Sequence, residues 1–320
     1  PVSIKDTLFL ENEGSESGIA VYLRAGSLNL SDCVFQDNYA LNGTVYLYEG
    51  TMNLDGCTFI NNGASHGSAL YLWGGMATVT NCVFSNNSAL GKGTVFCGHD
   101  NVIIGGAPGL ENYFSNNTAA YAVDLYTEIE DGIIDASYNT FSGIHESAWY
   151  VAPQESFDLT GCSSETTPIT DNVYISITGD DTNDGLTWET AWLTLNRAFE
   201  SILGTGEQQV TINLGPGTYS ETNTGQLFPI YLIDHLKIAG DESDQTILDV
   251  EDAGTQVLRI LNNKNVTLQR IILQNADDGA IIASNSELSV SECVFLDNTA
   301  YDGGGGLAAL DSVLTVTDTV

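Results

Sequence analysis

Residues 27–35 read SLNLSDCVF, and related sequences return at residues 52–59 (MNLDGCTF) and 77–84 (ATVTNCVF). The cysteines of these three copies are 24 and 25 residues apart, and the third residue after each phenylalanine is asparagine: Asn38, Asn62 and Asn87. A fixed period in the twenties with alternating apolar residues is typical of a β-solenoid, in which each repeat forms one coil.

The apolar positions of the repeat predict which side chains face the interior. Successive strand residues point to opposite faces, and one coil buries its inner face only when like residues stack above like. The expected core rungs are Leu28/Met52/Ala77, Leu30/Leu54/Val79 and Phe35/Phe59/Phe84. The asparagine after each phenylalanine is expected in a left-handed turn, where its side chain could also hydrogen-bond along the stack.

A leucine-rich horseshoe is the main alternative fold. It needs a helical or extended outer segment, but the segments between the predicted strands are short and rich in glycine and asparagine. We therefore predict an all-β fold, a right-handed parallel β-helix (β-solenoid).

The composition has a strong charge imbalance. The 320 residues include 8 Lys+Arg and 42 Asp+Glu, which gives a formal net charge of −34. Such a surface repels nucleic acid and anionic membranes and favours divalent cations or saline surroundings. No apolar run reaches about 18 residues, so no membrane span is predicted. The chain begins at Pro1 without a signal peptide, which suggests a mature or excised piece.

The repeats divide the chain into three parts. Residues 1–145 carry template coils, residues 146–171 lose the repeat and are predicted to form a terminating coil and linker, and residues 172–320 are predicted to be the capped start of a second β-helix. In this last part, Asn275 and Asn298 are assigned to the position three residues after the phenylalanine position. The six cysteines are predicted to be mainly buried and reduced, because three of them occupy the interior column.

One amphipathic segment interrupts the strand pattern. Trp192, Leu195, Phe199 and Ile202 recur at spacings of three and four residues. This spacing predicts one short capping helix near residues 191–203, covering the open end of the second β-helix.

Two parts of the chain resemble known families. The Cys-x-Phe-x-x-Asn units of residues 1–145 and 265–320 resemble the repeats of chlamydial polymorphic outer-membrane proteins and related β-helical surface adhesins. That resemblance implies a β-helical region exported to the cell surface. Residues 172–220, with GDDTNDGLTW and PGTY, are similar to the capping start of pectate-lyase-superfamily β-helix proteins. That superfamily implies polysaccharide lyases, glycosidases or non-catalytic relatives, and no catalytic motif accompanies the cap.

Candidate catalytic and metal-binding groups are sparse. Acidic pairs are expected by chance in so acidic a chain, Arg270 has no evident acidic partner, and the four histidines lie in unrelated contexts, so no residue is assigned a catalytic role. Asp180, Asp181 and Asp184 precede Gly185 in a loop that loosely resembles a calcium loop but lacks EF-hand spacing. Calcium is therefore the only cofactor that the sequence suggests, and a plain Asx turn is the alternative.

The outward positions of the second strand are aromatic. The register predicts one column of Tyr22, Tyr46, Tyr71 and Phe96, and a neighbouring column of Arg24, Tyr48 and Trp73. Exposed aromatic columns bind glycans or protein partners, or they stabilise an exposed sheet face. The predicted glycan or partner surface consists of Tyr22, Tyr46, Tyr48, Tyr71 and Trp73.

The two ends of the sequence match in template register. Residues 313–320 and 1–8 occupy the same template positions, so an end strand of one chain could pair with the first strand of the next, in parallel and head to tail. The alternative is one period of a longer tandem polypeptide. The predicted assembly interface consists of Val2, Ile4, Leu8, Phe9, Leu314, Val316 and Val320.

Together these features predict an acidic structural or adhesive β-helix protein, extracellular or on the cell surface, that forms a fibre or a long surface rod. Its expected partners are other copies of itself, glycans or host and cell-surface molecules, with no nucleic acid and no membrane span. The alternatives are a polysaccharide lyase or glycosidase, or a non-catalytic glycan-binding module.

Overall fold

The computed structural model describes residues 1–129, 131–206, 208–301 and 303–320. They form two compact units, Pro1–Thr167 (unit 1) and Pro168–Val320 (unit 2). In each unit the successive coils add strands to the same sheets, and the paired strands are parallel. The predicted all-β parallel β-solenoid is confirmed, with seven coils in unit 1 and six in unit 2 among the described residues.

Four sheets run along unit 1, and we name them by their dominant residues. The leucine sheet contains β1 (Val2–Lys5), β4 (Ser27–Ser31), β8 (Thr51–Asp55), β12 (Met76–Thr80), β16 (Val102–Ile104), β19 (Ile134–Asp135) and β22 (Phe157–Asp158). The phenylalanine sheet contains β2 (Leu8–Leu10), β5 (Val34–Gln36), β9 (Thr58–Ile60), β13 (Val83–Ser85), β17 (Tyr113–Ser115), β20 (Thr140–Phe141) and β23 (Ser163–Ser164). The tyrosine sheet contains β3 (Val21–Leu23), β7 (Val45–Leu47), β11 (Leu70–Leu72), β15 (Val95–Cys97), β18 (Leu125–Thr127) and β21 (Val151–Ala152). A short sheet contains β6 (Tyr39–Asn42), β10 (Gly63–His66) and β14 (Ser88–Ala89), and a 3-10 helix spans Gln154–Ser156.

Unit 2 has three sheets. The first contains β24 (Val173–Ile175), β25 (Val210–Leu214), β28 (Leu236–Ala239), β31 (Val266–Gln269), β34 (Glu287–Ser291) and β37 (Val313–Thr317). The second contains β26 (Gly217–Tyr219), β29 (Thr246–Asp249), β32 (Ile272–Gln274) and β35 (Val294–Leu296). The third contains β27 (Ile230–Tyr231), β30 (Leu258–Leu261), β33 (Ile281–Ser284) and β36 (Leu307–Leu310). The α-helices are α1 (Leu195–Phe199) and α2 (Glu221–Thr224).

The predicted core rungs are confirmed. Strand pairing aligns Leu28 with Met52 and Ala77, Leu30 with Leu54 and Val79, and Phe35 with Phe59 and Phe84, and all nine side chains are buried. The phenylalanine rings stack face to face, with centroids 4.6 Å apart for Phe35–Phe59 and 5.1 Å apart for Phe59–Phe84. The stack continues from Phe9 to Phe141, so one column of rings runs through most of unit 1.

The repeated asparagines form a buried ladder, but they are not the left-handed turn residues. The side-chain N–H of Asn38 donates to Asn62 Oδ1 at 2.9 Å, and that of Asn62 donates to Asn87 Oδ1 at 3.0 Å. Positive φ falls one residue earlier, at Asp37 (53°) and Asn61 (55°). The expected left-handed assignment was therefore wrong by one residue: the exposed residue makes the turn, which lets the buried asparagine point inward.

The cysteine column lies in the interior of unit 1. Cys33, Cys57 and Cys82 are buried, and all six cysteines of the chain are free. Asn112 then takes the column position, and its Oδ1 accepts the backbone N–H of Cys82 at 2.9 Å. The position thus accepts either a small apolar thiol or an asparagine that satisfies backbone groups of neighbouring coils.

The helix in unit 2 is shorter than the sequence predicted. α1 spans Leu195–Phe199, and Thr194 caps it by accepting the Arg197 backbone N–H. The two flanking apolar residues are instead drawn into bridges with strand residues, Trp192 with Ile175 and Ile202 with Ile169. All four residues of the predicted apolar pattern are buried, as a cap requires.

One asparagine assignment in unit 2 was also wrong by one position. Leu273 pairs with Phe295, so Asn275 lies two residues after the phenylalanine position and adopts a φ of 60°. Asn298 does occupy the ladder position, where its Oδ1 accepts the Ala276 backbone N–H at 3.0 Å. Within the described ranges, no helix is both long and apolar enough to cross a membrane.

Candidate functional site

The most distinctive surface of unit 1 is a column of stacked aromatic rings on the tyrosine sheet. We call it the aromatic column, and it consists of Tyr22, Tyr46, Tyr71, Phe96 and Tyr126. The centroids of the first three rings are 5.2 Å apart, and the Tyr71 and Phe96 rings are 4.3 Å apart with planes within 2°. The predicted column is confirmed, and Tyr126 extends it, with its ring 5.6 Å from Phe96 and tilted by 50°.

Glycines in the turns before these strands make room for the column. Gly43 has a φ of 60°, and a Cβ there would lie 2.7 Å from Tyr71 Cβ in the next coil. Gly67 has a φ of 57°, and its Cβ would lie 3.0 Å from Phe96 Cβ. Only glycine combines this backbone conformation with so close an approach, so the glycine that opens each strand in the sequence is a packing requirement.

Stacking hides the faces of most of these rings. Each inner ring of the column lies between two others, so solvent meets ring edges and tyrosine hydroxyls rather than ring faces. Exposure falls along the column, from 50% at Tyr22 to 3% at Phe96. The column therefore serves first to stabilise the sheet through cross-strand pairs. Burial, and secondarily the charges of Tyr46 and Glu128, raise the pKa of Tyr71 to about 12.

A neighbouring column follows two residues later in each strand. Backbone hydrogen bonds continue the register from Leu23 to Tyr48, from Leu47 to Trp73, and from Leu72 to Gly98. The predicted sequence of Arg24, Tyr48 and Trp73 is therefore confirmed, and Gly98 and Glu128 occupy the next two places. Tyr48 and Trp73 are exposed large side chains, so this column offers aromatic surface to solvent, as Tyr22 does in the first column.

A cluster of titratable groups lies where the aromatic column becomes buried. Lys92 Nζ donates to the Tyr126 hydroxyl at 2.6 Å and lies 3.5 Å from Glu128 Oε1. The Tyr126 hydroxyl in turn donates to Glu128 Oε1 at 3.2 Å. The Lys92 backbone N–H donates to His66 Nδ1 at 3.2 Å, and burial, together with Lys92, lowers the pKa of His66.

This cluster was missed in the sequence. Its members come from three successive coils, and Tyr126 follows Phe96 by 30 residues, because that coil is longer than its predecessors. The available signal was Lys92 itself, one of 8 basic residues, set between two glycines at the start of a strand. Chemically, the cluster joins a cation, a phenol and one carboxylate, which can hold and move a proton.

The asparagine ladder ends at a buried acid. Asn117 Nδ2 donates to Asp124 Oδ1 at 2.9 Å, and Asp124 is only 3% exposed. Burial raises the pKa of Asp124 to about 7, although the Asn117 hydrogen bond opposes the shift. The carboxyl therefore titrates near neutral pH inside the solenoid, a feature that the repeat pattern did not reveal.

The acidic loop of unit 2 uses its carboxylates internally. Asp181 Oδ1 accepts the backbone N–H groups of Leu193 and Thr194, at 2.8 and 3.0 Å. Asp180 accepts from Thr182, and Asp184 accepts the Thr190 hydroxyl at 2.6 Å. These hydrogen bonds lower the pKa values of Asp180 and Asp184. No group of three or more His, Cys, Asp or Glu within the described ranges could hold a metal ion, and calcium binding here stays a prediction.

Six of the seven predicted assembly residues lie on β1, β2 and β37, and Val320 follows the end of β37. Leu314 and Val316 align with the buried Leu288 and Val290 of the preceding coil, yet both are exposed. In unit 1, Val2 and Leu8 are exposed, whereas Ile4 and Phe9 pack partly against the core. Val320 is 87% exposed. Inner-face residues of both outermost coils are thus accessible.

One part of the chain matches a known protein family. Residues 177–302 match a family described as a protein of unknown function (DUF1565), a family associated with β-helices. The match covers α1 and much of unit 2 and extends over less than half of the chain. No curated protein and no solved structure is significantly similar to the chain. The family match agrees with the fold, and the resemblances to surface adhesins and pectate lyases have no counterpart among these results.

Proposed function

We propose that this chain is part of an extracellular structural and adhesive β-helix protein. The observation that supports this best is the continuity of the interior columns. Phenylalanine rings stack through six successive coils of unit 1, and asparagine amides through five of them, where each asparagine satisfies groups of the adjacent coil. Such nearest-neighbour stacking gives a stiff body whose length grows with coil number, which suits a surface rod.

The surface charge supports an extracellular position. A formal charge of −34 disfavours binding to nucleic acid or anionic lipid. Adhesive contacts would then come from uncharged features, and the exposed residues of the aromatic surface, Tyr22, Tyr48 and Trp73, are the strongest of these in unit 1. This assignment carries forward the predicted partners, which are glycans or cell-surface molecules.

Polysaccharide cleavage is the second candidate, and the Lys92–Tyr126–Glu128 cluster is the observation that favours it. Lyases need a base and a proton donor, which a phenol beside a cation could supply. Glycosidases need two carboxylates, and Glu128 is the only one in this cluster among the described residues. Incubation with polyuronates, followed by absorbance of the unsaturated product and by a reducing-sugar assay, tests both activities. We expect no product; a product that the Tyr126→Phe variant fails to form would establish an enzyme instead.

Continuation of the unit 2 solenoid by a further coil is also part of the proposal. The exposed Leu314 and Val316 of β37 repeat the inner-face pattern that is buried one coil earlier. A coil from a longer polypeptide, or β1 of a second copy, would cover them by parallel strand addition. A longer polypeptide and a second copy would form the same local junction. Only assembly from separate copies depends on protein concentration, so a concentration series distinguishes the two.

A further inference from the structure

Trp73 differs from the other rings of the predicted aromatic surface (Tyr22, Tyr46, Tyr48 and Tyr71) because no ring follows it in the next place of its column. Its ring lies nearly parallel to that of Tyr71, at 18° and 6.2 Å between centroids, so its face points along the solenoid toward the next coil. The residue in the next place of that column is Gly98, which has no side chain to cover the ring. Trp73 is accordingly 48% exposed.

The gap beside Trp73 is two coils wide. Glu128 occupies the place after Gly98, and the aromatic column beneath measures 4.3 Å from Tyr71 to Phe96 and 5.6 Å from Phe96 to Tyr126. Two strand spacings amount to about 9.5 Å. A flat ring in contact with both walls needs about 7–8 Å, because each van der Waals contact takes roughly 3.5–4 Å. Next to the strand the Gly98 backbone fills this space, because a Cβ on Gly98 would lie 3.3 Å from Trp73 Cε3, so a saturated six-membered ring would fit only beside the outer part of the indole.

A groove on the leucine sheet lies beyond the turns that follow Trp73 and Gly98. It has a volume of about 350 Å³ and is lined by residues of β12, β16, β19 and the adjoining turns. Met76, Ile103 and Ile133 form its exposed apolar part, and Asp100 and Asp135 also line it. Met76 follows Trp73 by three residues and Asp100 follows Gly98 by two. Apolar walls with a few polar groups are the usual composition of a ligand-binding groove.

The charges around the gap and groove select among ligands. Glu128, Asp100 and Asp135 are all acidic, and the nearby Lys92 is held by Tyr126 and Glu128. Uronates and sulfated sugars would meet like charge on a protein that is already strongly acidic. Neutral sugars carry hydroxyl donors for the carboxylates, and their C–H faces suit the electron-rich face of an indole.

We propose that the corner formed by Trp73, Gly98, Glu128 and the adjoining groove binds a neutral polysaccharide, with one pyranose ring lying flat on Trp73. This binding site rests on the proposed adhesive function, because a neutral polysaccharide would be the ligand through which the protein adheres. The other rings of the aromatic column stabilise the sheet and take no part in face-on contact.

Isothermal titration calorimetry of the complete chain tests this site. The ligands are cellohexaose and laminarihexaose, which are neutral, and hexagalacturonate, which has the same length but is anionic. We expect millimolar or tighter binding of at least one neutral ligand and none of hexagalacturonate. Trp73→Ala should weaken binding by about tenfold or more, roughly 1.4 kcal/mol, and Trp73→Phe should recover part of the loss. Trp188→Ala is the matched control, since Trp188 is also 48% exposed but belongs to unit 2.

Three results would overturn the inference: no neutral ligand binds, hexagalacturonate binds more tightly, or Trp73→Ala and Trp188→Ala behave alike. Circular dichroism of each variant shows that the solenoid is retained. Failure of this site can be distinguished from failure of the proposed function. If the protein lies outside the cell but binds no neutral sugar, only the ligand proposed here is wrong. If the protein is confined inside the cell, the proposed function is wrong whatever the protein binds.

Discussion

Asn62 donates its side-chain N–H to Asn87 Oδ1 at 3.0 Å in the interior of unit 1, and the same amide donates to the Phe35 carbonyl at 2.9 Å. Its own Oδ1 accepts both the backbone and side-chain N–H groups of Asn38. One residue thus satisfies polar groups of the coils before and after it, so the ladder couples neighbouring coils as well as closing a turn.

The first prediction concerns this ladder. Asn62→Ala removes the acceptor of the buried Asn38 backbone N–H and one hydrogen bond each from the Asn38 side chain, the Phe35 carbonyl and Asn87 Oδ1, so the free energy of unfolding should fall by on the order of 3 kcal/mol. Asn53→Ala is the control from the same coil: Asn53 donates to Asn29 at 2.9 Å on the exposed face, and its loss should cost less than about 0.5 kcal/mol. Urea denaturation followed by circular dichroism measures both. Equal losses would mean that the buried ladder adds nothing beyond the exposed one.

The second prediction concerns the phenylalanine column. Phe59 is fully buried between the rings of Phe35 and Phe84. Phe59→Ala removes contacts to both rings and leaves a cavity, so it should reduce the free energy of unfolding by about 3–5 kcal/mol. Thr58→Ala, on the opposite face of β9, provides the control. A loss below about 1 kcal/mol for Phe59→Ala would contradict the tight stacking, because a surface substitution alone can cost about 0.5 kcal/mol.

The third prediction concerns pH. Burial raises the pKa of Asp124 to about 7, so the folded state favours the neutral acid. This preference stabilises the folded state fully below pH 3.8, the pKa of the carboxyl in the unfolded chain. The stabilisation is lost as the pH rises through about 7, the pKa in the folded chain. Each unit of difference between the two pKa values corresponds to about 1.4 kcal/mol in the free energy of unfolding. Asp124→Asn keeps an oxygen for the Asn117 donor and removes the titration.

The Asp124→Asn variant should therefore gain stability relative to the original chain as the pH rises from acid toward alkaline values. Melting temperatures across this range measure the difference, and Asp37→Asn, an exposed turn substitution, is the control. If the original chain and Asp124→Asn keep a constant difference at all pH values, Asp124 does not titrate inside the solenoid.

The fourth prediction concerns assembly through the outermost coils. Changing both Leu314 and Val316 to lysine places charge on the inner face that a further coil would cover, and so should abolish self-association. Thr315→Lys alters the opposite face of the same strand and should leave association intact. Sedimentation velocity over a range of concentrations measures this. An original chain that stays monomeric throughout would rule out assembly from separate copies of these 320 residues.

Much of the fold was predictable because the repeat encodes its own register. Leu28, Leu30 and Phe35 find the same residue types one period away, so a slipped register would have placed polar residues in the core. The turn conformation was assigned to the wrong residue because Asn and Asp both tolerate positive φ, and sequence alone does not say which of Asp37 and Asn38 is buried.

The candidate site was only partly predictable, for a different reason. Tyr22, Tyr46 and Tyr71 could be aligned because their coils have nearly equal lengths. The longer coil before Tyr126 hid the partnership of Lys92, Tyr126 and Glu128, because contacts between coils depend on register and not on distance along the chain. The ends of α1 were misplaced because Trp192 and Ile202 gain strand bridges that helical spacing does not reveal.

Surface labelling of intact cells that produce the protein tests the extracellular role most directly. An antibody raised against unit 1, together with an added protease that does not cross membranes, reports whether the chain is exposed outside the cell. The extracellular structural and adhesive role predicts antibody binding to unbroken cells and loss of that signal after protease treatment. Labelling that appears only after the cells are lysed would contradict it.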